Sequence, residues 1–325
     1  MIRFLPHVPR AEARAIALSL VLGAALTGLK FAAFFLTGSS AVFSDALESI
    51  VNVVAAVFAA YSLHLAHTPA DAAHPYGHGK IEFMSAGFEG GMILVAALAA
   101  VIKAVGDFVH GPDLSGNPQN RLDLGVGLLI IALLVNGALG LYLVRTGRRQ
   151  NSATLEADGH HLLSDAITSV VALAALAVVR LTRWDYADPI AALLVSLYIA
   201  RIGWRLMRGA AAGLMDRQDA EDERLLRQIL DSHLGPGGKP PQICSYHKLR
   251  HRHSGRYHWV DFHMLVPAGW SIDQGHQVAS EIEYEIELAL GEGNATAHIE
   301  PCTSADCATG HTPATDFRPE PHVQT

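Results

Sequence analysis

The chain has 325 residues, half of them hydrophobic and only 17% charged, with a mean hydropathy of +0.24. An ordinary soluble domain carries about a quarter charged residues, so a wholly soluble chain is excluded. Fifteen basic and fourteen acidic residues precede Asp216, against nine and seventeen from Asp216 onward in half the length. That division predicts a membrane part followed by an acidic soluble part, which repels phosphates and disfavours nucleic acid as a partner.

In chain order, residues 1–12 read as a short cytoplasmic segment. Arg10, Glu12 and Arg14 stand before a long apolar stretch with no small-residue cleavage pattern after it, so no signal peptide is expected. Six apolar segments follow, over 13–37, 41–66, 82–106, 122–145, 156–180 and 187–208. Each is long enough to cross about 30 Å of hydrocarbon as a helix, which predicts an all-α six-helix transmembrane bundle over residues 13–210. Leu124–Val144 is a clean uncharged run, whereas the other segments are interrupted by Lys30, Glu48, Glu89, His161, Asp165 or Arg201. Snorkelling accounts for Lys30, Lys103 and Arg201. An ionisable group at membrane depth otherwise faces a polar interior and marks a pathway. Arginines 3, 10, 14, 145, 148, 149, 205, 208 and 217 fall on one side of the spans, which puts both termini in the cytoplasm.

Residues 211–302 form the soluble part. Asp219–His233 reads as a charged amphipathic helix, and Gly235–Pro241 breaks it. Ile243–Arg250 and His258–Val266 read as strands around a turn at Ser254–Gly255. Ser271–Leu290 is a second helix with Ser271 as its N-cap and Gly291 past its end, and Ala295–Glu300 is a last strand. Helix, strand, strand, helix, strand predicts a small α+β unit of the ferredoxin-like kind. The tail from 303 to 325 reads as disordered. Cys244, Cys302 and Cys307, an odd and small set, do not make a disulfide framework.

Three clusters carry chemistry. Glu48 and Asn52 on the second span, and His161 and Asp165 on the fifth, are each four residues apart and so share a helix face. Two such faces opposed supply four N/O donors around one point, which suits a divalent ion such as Zn²⁺; the plain alternative is a polar helix–helix contact. Asp71, His74 and His78 lie within eight residues, around a Pro and a Gly, and fold back onto one ion or form a solvated turn. Ten of the eighteen histidines lie after Asp216, eight of them in residues 211–302. His251, His253 and His258 read as a His-rich strand surface, whereas His263, His276, His298 and Glu300 read as donors converging across the sheet.

The segments GSSAVFSDALESIVN, HPYGHGKIE, ADGHHLLSDAITS and the terminal AHIEPC, in this order, resemble the cation diffusion facilitator family over about residues 10–302. The resemblance implies a homodimeric, multi-pass transporter of the bacterial inner membrane, which exports zinc or another divalent metal by alternating access against entering protons. Carried over by position, Glu48, Asn52, His161 and Asp165 occupy the transport site, and Asp71, His74 and His78 a loop site. His247, His263, His276, His298 and Glu300 fall on cytoplasmic-domain ligand positions, where metal is structural or regulatory. Lys80 and Asp216 match a pair that interlocks the two protomers. One departure stands out: the family's second-span pair is His or Asp followed by Asp, and here it is Glu48 followed by Asn52. Neutral Asn weakens strict zinc selectivity, because oxygen-rich sites also accept iron, manganese, cobalt and cadmium. Rival readings are a membrane metal-dependent hydrolase, for which no HExxH or Ser/Lys set is present, a passive cation channel, and a metal sensor with secondary transport.

Overall fold

The computed structural model describes residues 8–37, 40–110, 119–182 and 187–302, with a number of side chains inside the helices, those of 33–37, 40–48, 119–126 and 175–181 among them, outside that description. The chain divides into two units between Leu214 and Met215. The expected tail, 303–325, lies outside the described residues, as does Cys307.

The first unit is helical: α1 (Arg10–Thr37), α2 (Ser40–Ala66), α3 (Ile81–His110), α4 (Gln119–Gln150), α5 (Ala153–Thr182) and α6 (Ala187–Leu214). Among the described residues, Arg10–Ala32, Ile81–Gly106 and Ile130–Gln150 are long and apolar enough to cross a membrane. The helices outrun the apolar segments read from the sequence because hydrogen-bonded turns continue past the last apolar residue into polar ends such as Arg148–Gln150. The tightest packing is α3 on α6 and α4 on α5, with α1 on α2 next. Small residues permit it. A Cβ on Gly159 would lie 2.9 Å from the Gly140 carbonyl oxygen and 2.7 Å from the Val144 nitrogen, so α4 and α5 touch backbone to backbone. Buried polar groups tie the helix ends together: Ser152 Oγ donates to Glu82 Oε2 at 2.6 Å, and His67 Nε2 lies 3.5 Å from Glu12 Oε2.

The second unit comprises α7 (Ala220–Ser232), β1 (Ser245–Ser254), β2 (Tyr257–Pro267), α8 (Ile272–Leu290) and β3 (Gly293–Cys302), with the sheet in the order β1-β2-β3. β1 and β2 are antiparallel, and β2 and β3 parallel, because α8 carries the chain back across the sheet. Asp219 caps α7 by accepting from the Glu221 and Asp222 amides, and Ser271 with Gln274 forms a capping box on α8. Leu226, Ile229 and Leu230 of α7 and Ala279, Ile282 and Ile286 of α8 bury against Val260, Phe262, Met264 and Val266 of β2. Both helices therefore cover one face of the sheet and leave the other open. β1 runs four residues beyond the expected end at Arg250, because His251, His253 and Ser254 pair with Val260, His258 and Tyr257 right up to a turn at Gly255–Arg256. Cys302 and Cys244 are both buried, Cys244 just before the start of β1.

Candidate metal centres

Helix pitch sets the first site. On α5, His161 and Asp165 lie one turn apart, and both meet Asn52 of α2. Asn52 Nδ2 donates to Asp165 Oδ2 at 2.9 Å, and its Oδ1 lies 3.1 Å from His161 Nε2. The neutral amide thus bridges an imidazole and a carboxylate, presenting a donor to one and an acceptor to the other. The side chain of Glu48, the fourth expected donor, lies outside the described residues. Two acids that the sequence reading left outside the site lie close by. Asp158 is buried on the same face of α5 as His161 and accepts from Ser19 Oγ at 2.8 Å. Glu89 of α3 is fully buried, and neither of its oxygens has a hydrogen-bond partner among the described residues. The spacing 158, 161, 165 is a single helix face and could have been read from sequence; the approach of Glu89 from α3 could not.

The second site is the loop between α2 and α3. Asp71 Oδ1 accepts from the His74 amide at 2.7 Å and the Ala73 amide at 2.9 Å, which holds its carboxyl below the usual carboxylate range. His74 Nδ1 lies 3.2 Å from Asp71 Oδ1, and His78 Nε2 lies 3.5 Å from Asp71 Oδ2. Gly77, at φ +78, makes the reversal that brings the two rings to 4.4 Å, a conformation L side chains disfavour. All three ligand atoms lie within 4.8 Å of one another.

The third site is on the open face of the sheet. His247 on β1, His263 on β2 and His298 on β3 are register neighbours in a row, with Glu300 beside them. His263 Nδ1 lies 2.7 Å, His247 Nε2 3.4 Å and His298 Nε2 3.8 Å from the Glu300 carboxylate. Partial burial works to raise the Glu300 carboxyl, but the His263 hydrogen bond and the His247 imidazole outweigh it and hold it low. Burial also pushes His247 below the usual histidine range, towards the neutral form that ligates metal. His276 is not brought to this group: it is exposed on α8, beside Asp273, Gln277 and Ser280. Asp216 lies 3.4 Å from Arg252 within its own unit, and Lys80 begins the turn into α3 in the other.

A β-bulge decides which histidines meet. Pairing shifts by one residue between His247 and Arg250, with Lys248 at φ +51. Strict alternation puts His247, His251 and His253 on one face; the extra residue turns His247 to the open face and leaves His251 and His253 on the helix-covered one. The expectation that His251, His253 and His258 form a strand surface is therefore corrected. His251 and His258 are each 5% exposed, and His253 and His258 gather with Asp222 in a fourth cluster.

The sequence pattern of the cation efflux transmembrane domain matches residues 16–215, and that of the cation efflux protein cytoplasmic domain matches residues 238–302. The chain belongs to the cation diffusion facilitator family. An uncharacterized transporter of Synechocystis is 39% identical over 87% of this chain and 88% of its own length. The cation-efflux pump FieF of Shewanella oneidensis is 26% identical, over 85% and 89% respectively. The manganese efflux system protein MneP of Bacillus subtilis is 27% identical, over 82% and 89%. As a family member, the chain joins a cation efflux transmembrane domain to a cytoplasmic domain and moves divalent metal across a membrane.

Proposed function

We propose that the chain is a six-span, proton-coupled exporter of zinc or a similar divalent ion, working as a homodimer in a bacterial inner membrane with both termini in the cytoplasm. The observation that carries this reading is the Asn52 bridge between His161 and Asp165, which brings a helix-spaced pair on α5 against α2 inside the cation efflux domain. Metal is the substrate. It binds Glu48, Asn52, His161 and Asp165 when the bundle opens inward, and rocking of the bundle turns the site outward. His161 exchanges the metal for a proton, because imidazole binds either near neutral pH.

Asn52 lowers the site's formal charge, so manganese, iron, cobalt and cadmium are alternative cargoes; the name of MneP supports manganese. The second unit, read as a ferredoxin-like domain, binds metal through His247, His263, His298 and Glu300 and stabilises the dimer. Lys80 and Asp216 interlock the protomers, and Asp71, His74 and His78 hold a separate loop ion.

Uptake of Zn²⁺, Cd²⁺, Fe²⁺, Co²⁺ and Mn²⁺ into proteoliposomes, with and without an imposed pH gradient, tests the proposal. Uphill metal movement driven by the gradient supports it. Metal flux that only runs downhill and ignores the gradient means a channel.

A further inference from the structure

We propose that Asp222, His253 and His258 form a further divalent-metal site on the helix-covered face of the sheet, separate from the Glu300 cluster. His253 and His258 are directly opposed partners at the end of the β1–β2 hairpin, with ring centroids 4.3 Å apart. Asp222 stands in the first turn of α7, fixed there by its amide bond to the Asp219 cap. Its Oδ2 lies 2.7 Å from His253 Nε2 and 3.3 Å from His258 Nδ1, and all three ligand atoms fall within 4.8 Å of one another.

Zinc held at about 2.0–2.1 Å from each ligand in a tetrahedron sets its ligands roughly 3.3 Å apart, a spacing these atoms reach with small side-chain rotations. Two imidazoles and one carboxylate are a zinc-type donor set, and a fourth position is left for water. The pairing is poor as a hydrogen-bonded contact. Asp222 Oδ2 and His253 Nε2 are both shielded from solvent, yet neither completes a hydrogen bond of acceptable geometry. The carboxylate oxygen and the two ring nitrogens instead face a common point from three sides.

The site is also built rather than incidental. His258 continues the core row Val260, Phe262, Met264 and Val266, so its ring is held by the same packing. The Asp219 amide donates to His251 Nε2 at 3.0 Å and pins the start of α7 to the same strand face. His258 and His263 are five residues apart on β2 and point to opposite faces, which separates the two clusters by about 17 Å along the strand. One ion therefore cannot serve both. Metal here clips the first helix of the second unit to the hairpin tip, a structural role independent of whether the membrane unit transports.

The test uses the full chain in detergent, loaded with Zn²⁺ by equilibrium dialysis and assayed for metal per chain and for melting temperature. His253→Gln and, separately, Asp222→Asn are each expected to lose one zinc ion per chain and part of the zinc-induced rise in melting temperature. Co²⁺ loading is expected to lose one four-coordinate visible absorption component in the same variants. His263→Gln is the comparison that removes the Glu300 cluster instead; its loss and the loss in His253→Gln should add. Unchanged zinc per chain in both His253→Gln and Asp222→Asn overturns the proposal. Flux measured on the same preparations reads the transport function separately.

Discussion

In the helical bundle the candidate ligands of α5, His161 and Asp165, lie one turn apart on a single helix, so local pitch alone puts them together. In the sheet unit every cluster is assembled across strands: His247 with His263, His263 with His298, His253 with His258. A helix fixes its own ligand spacing, whereas a sheet leaves that to register. The practical difference is robustness. Moving a helix changes how two preformed pairs face each other, while slipping one strand by one residue exchanges the histidines between faces.

The largest effect is expected at the helical site. Asp165→Ala removes a carboxylate from a cation site inside a low-dielectric bundle, at about 3–5 kcal/mol, so metal uptake by proteoliposomes should fall about a hundredfold or more. Membrane insertion and dimerisation should persist. Retained uptake would mean that the α2–α5 contact is a structural polar pair and nothing more.

Next in size is the register itself. Deleting Lys248 removes the bulge, so His247 and the pair His251 and His253 are forced onto one face. One of the two sheet clusters must then lose its histidines, and an imidazole is left buried without its partner at about 1–3 kcal/mol. Metal per chain should drop and the melting temperature should fall. A deletion variant that binds the parent's full complement of zinc would show that the bulge does not separate the clusters.

A smaller effect probes the helical side of the comparison. Gly159→Ala drives a methyl group to 2.7 Å from the Val144 nitrogen and must push α4 from α5, at about 1–3 kcal/mol. Because His161 is two residues away on α5, uptake should weaken along with thermal stability. Normal stability here would mean that α5 shifts freely, and that pitch alone does not hold the site.

The smallest effect is the cap on α7. Asp219→Ala should cost about 1 kcal/mol near neutral pH, read from the melting temperature of the second unit within the full chain. The Glu221 and Asp222 amides donate to Asp219 and hold its carboxyl below its usual 3.8. A depressed folded value means that the cap's contribution is complete above about pH 4 and lost as pH falls through that lower value. The difference between parent and variant should therefore shrink on acidification; a constant difference would mean that the charge plays no part.

Legibility followed the same division. The helical segments and the pairs 48/52 and 161/165 could be read from chain order because helix pitch is a local property, and Asp158 lay in the same reading frame. Glu89 could be seen as a charge in a span, but not as a neighbour of the site, since that depends on how α3 packs. The strands of the second unit and the α8 cap were legible from alternation and from Ser271, whereas Asp219, read as the first residue of α7, proved to be its cap. The convergence of His263, His298 and Glu300 was legible too, but the gathering of His253 and His258 with Asp222, and the separation of His276, were not.

What the sequence by itself determined is the membrane-then-acidic order of the chain, the helices, the helix-spaced ligand pairs, the Asp71 loop cluster and the family, because each depends on local composition or spacing. The tertiary structure alone decided which cluster each histidine of β1 joins. His247, His251 and His253 are all odd-numbered along one strand, and period-two alternation assigns them a single face. One extra residue at Lys248, in left-handed backbone, reverses that alternation midway. It sends His247 to Glu300 on the open face and His253 to Asp222 beneath the helices, because side-chain direction in a strand depends on pairing with the neighbouring strand, which no local pattern records.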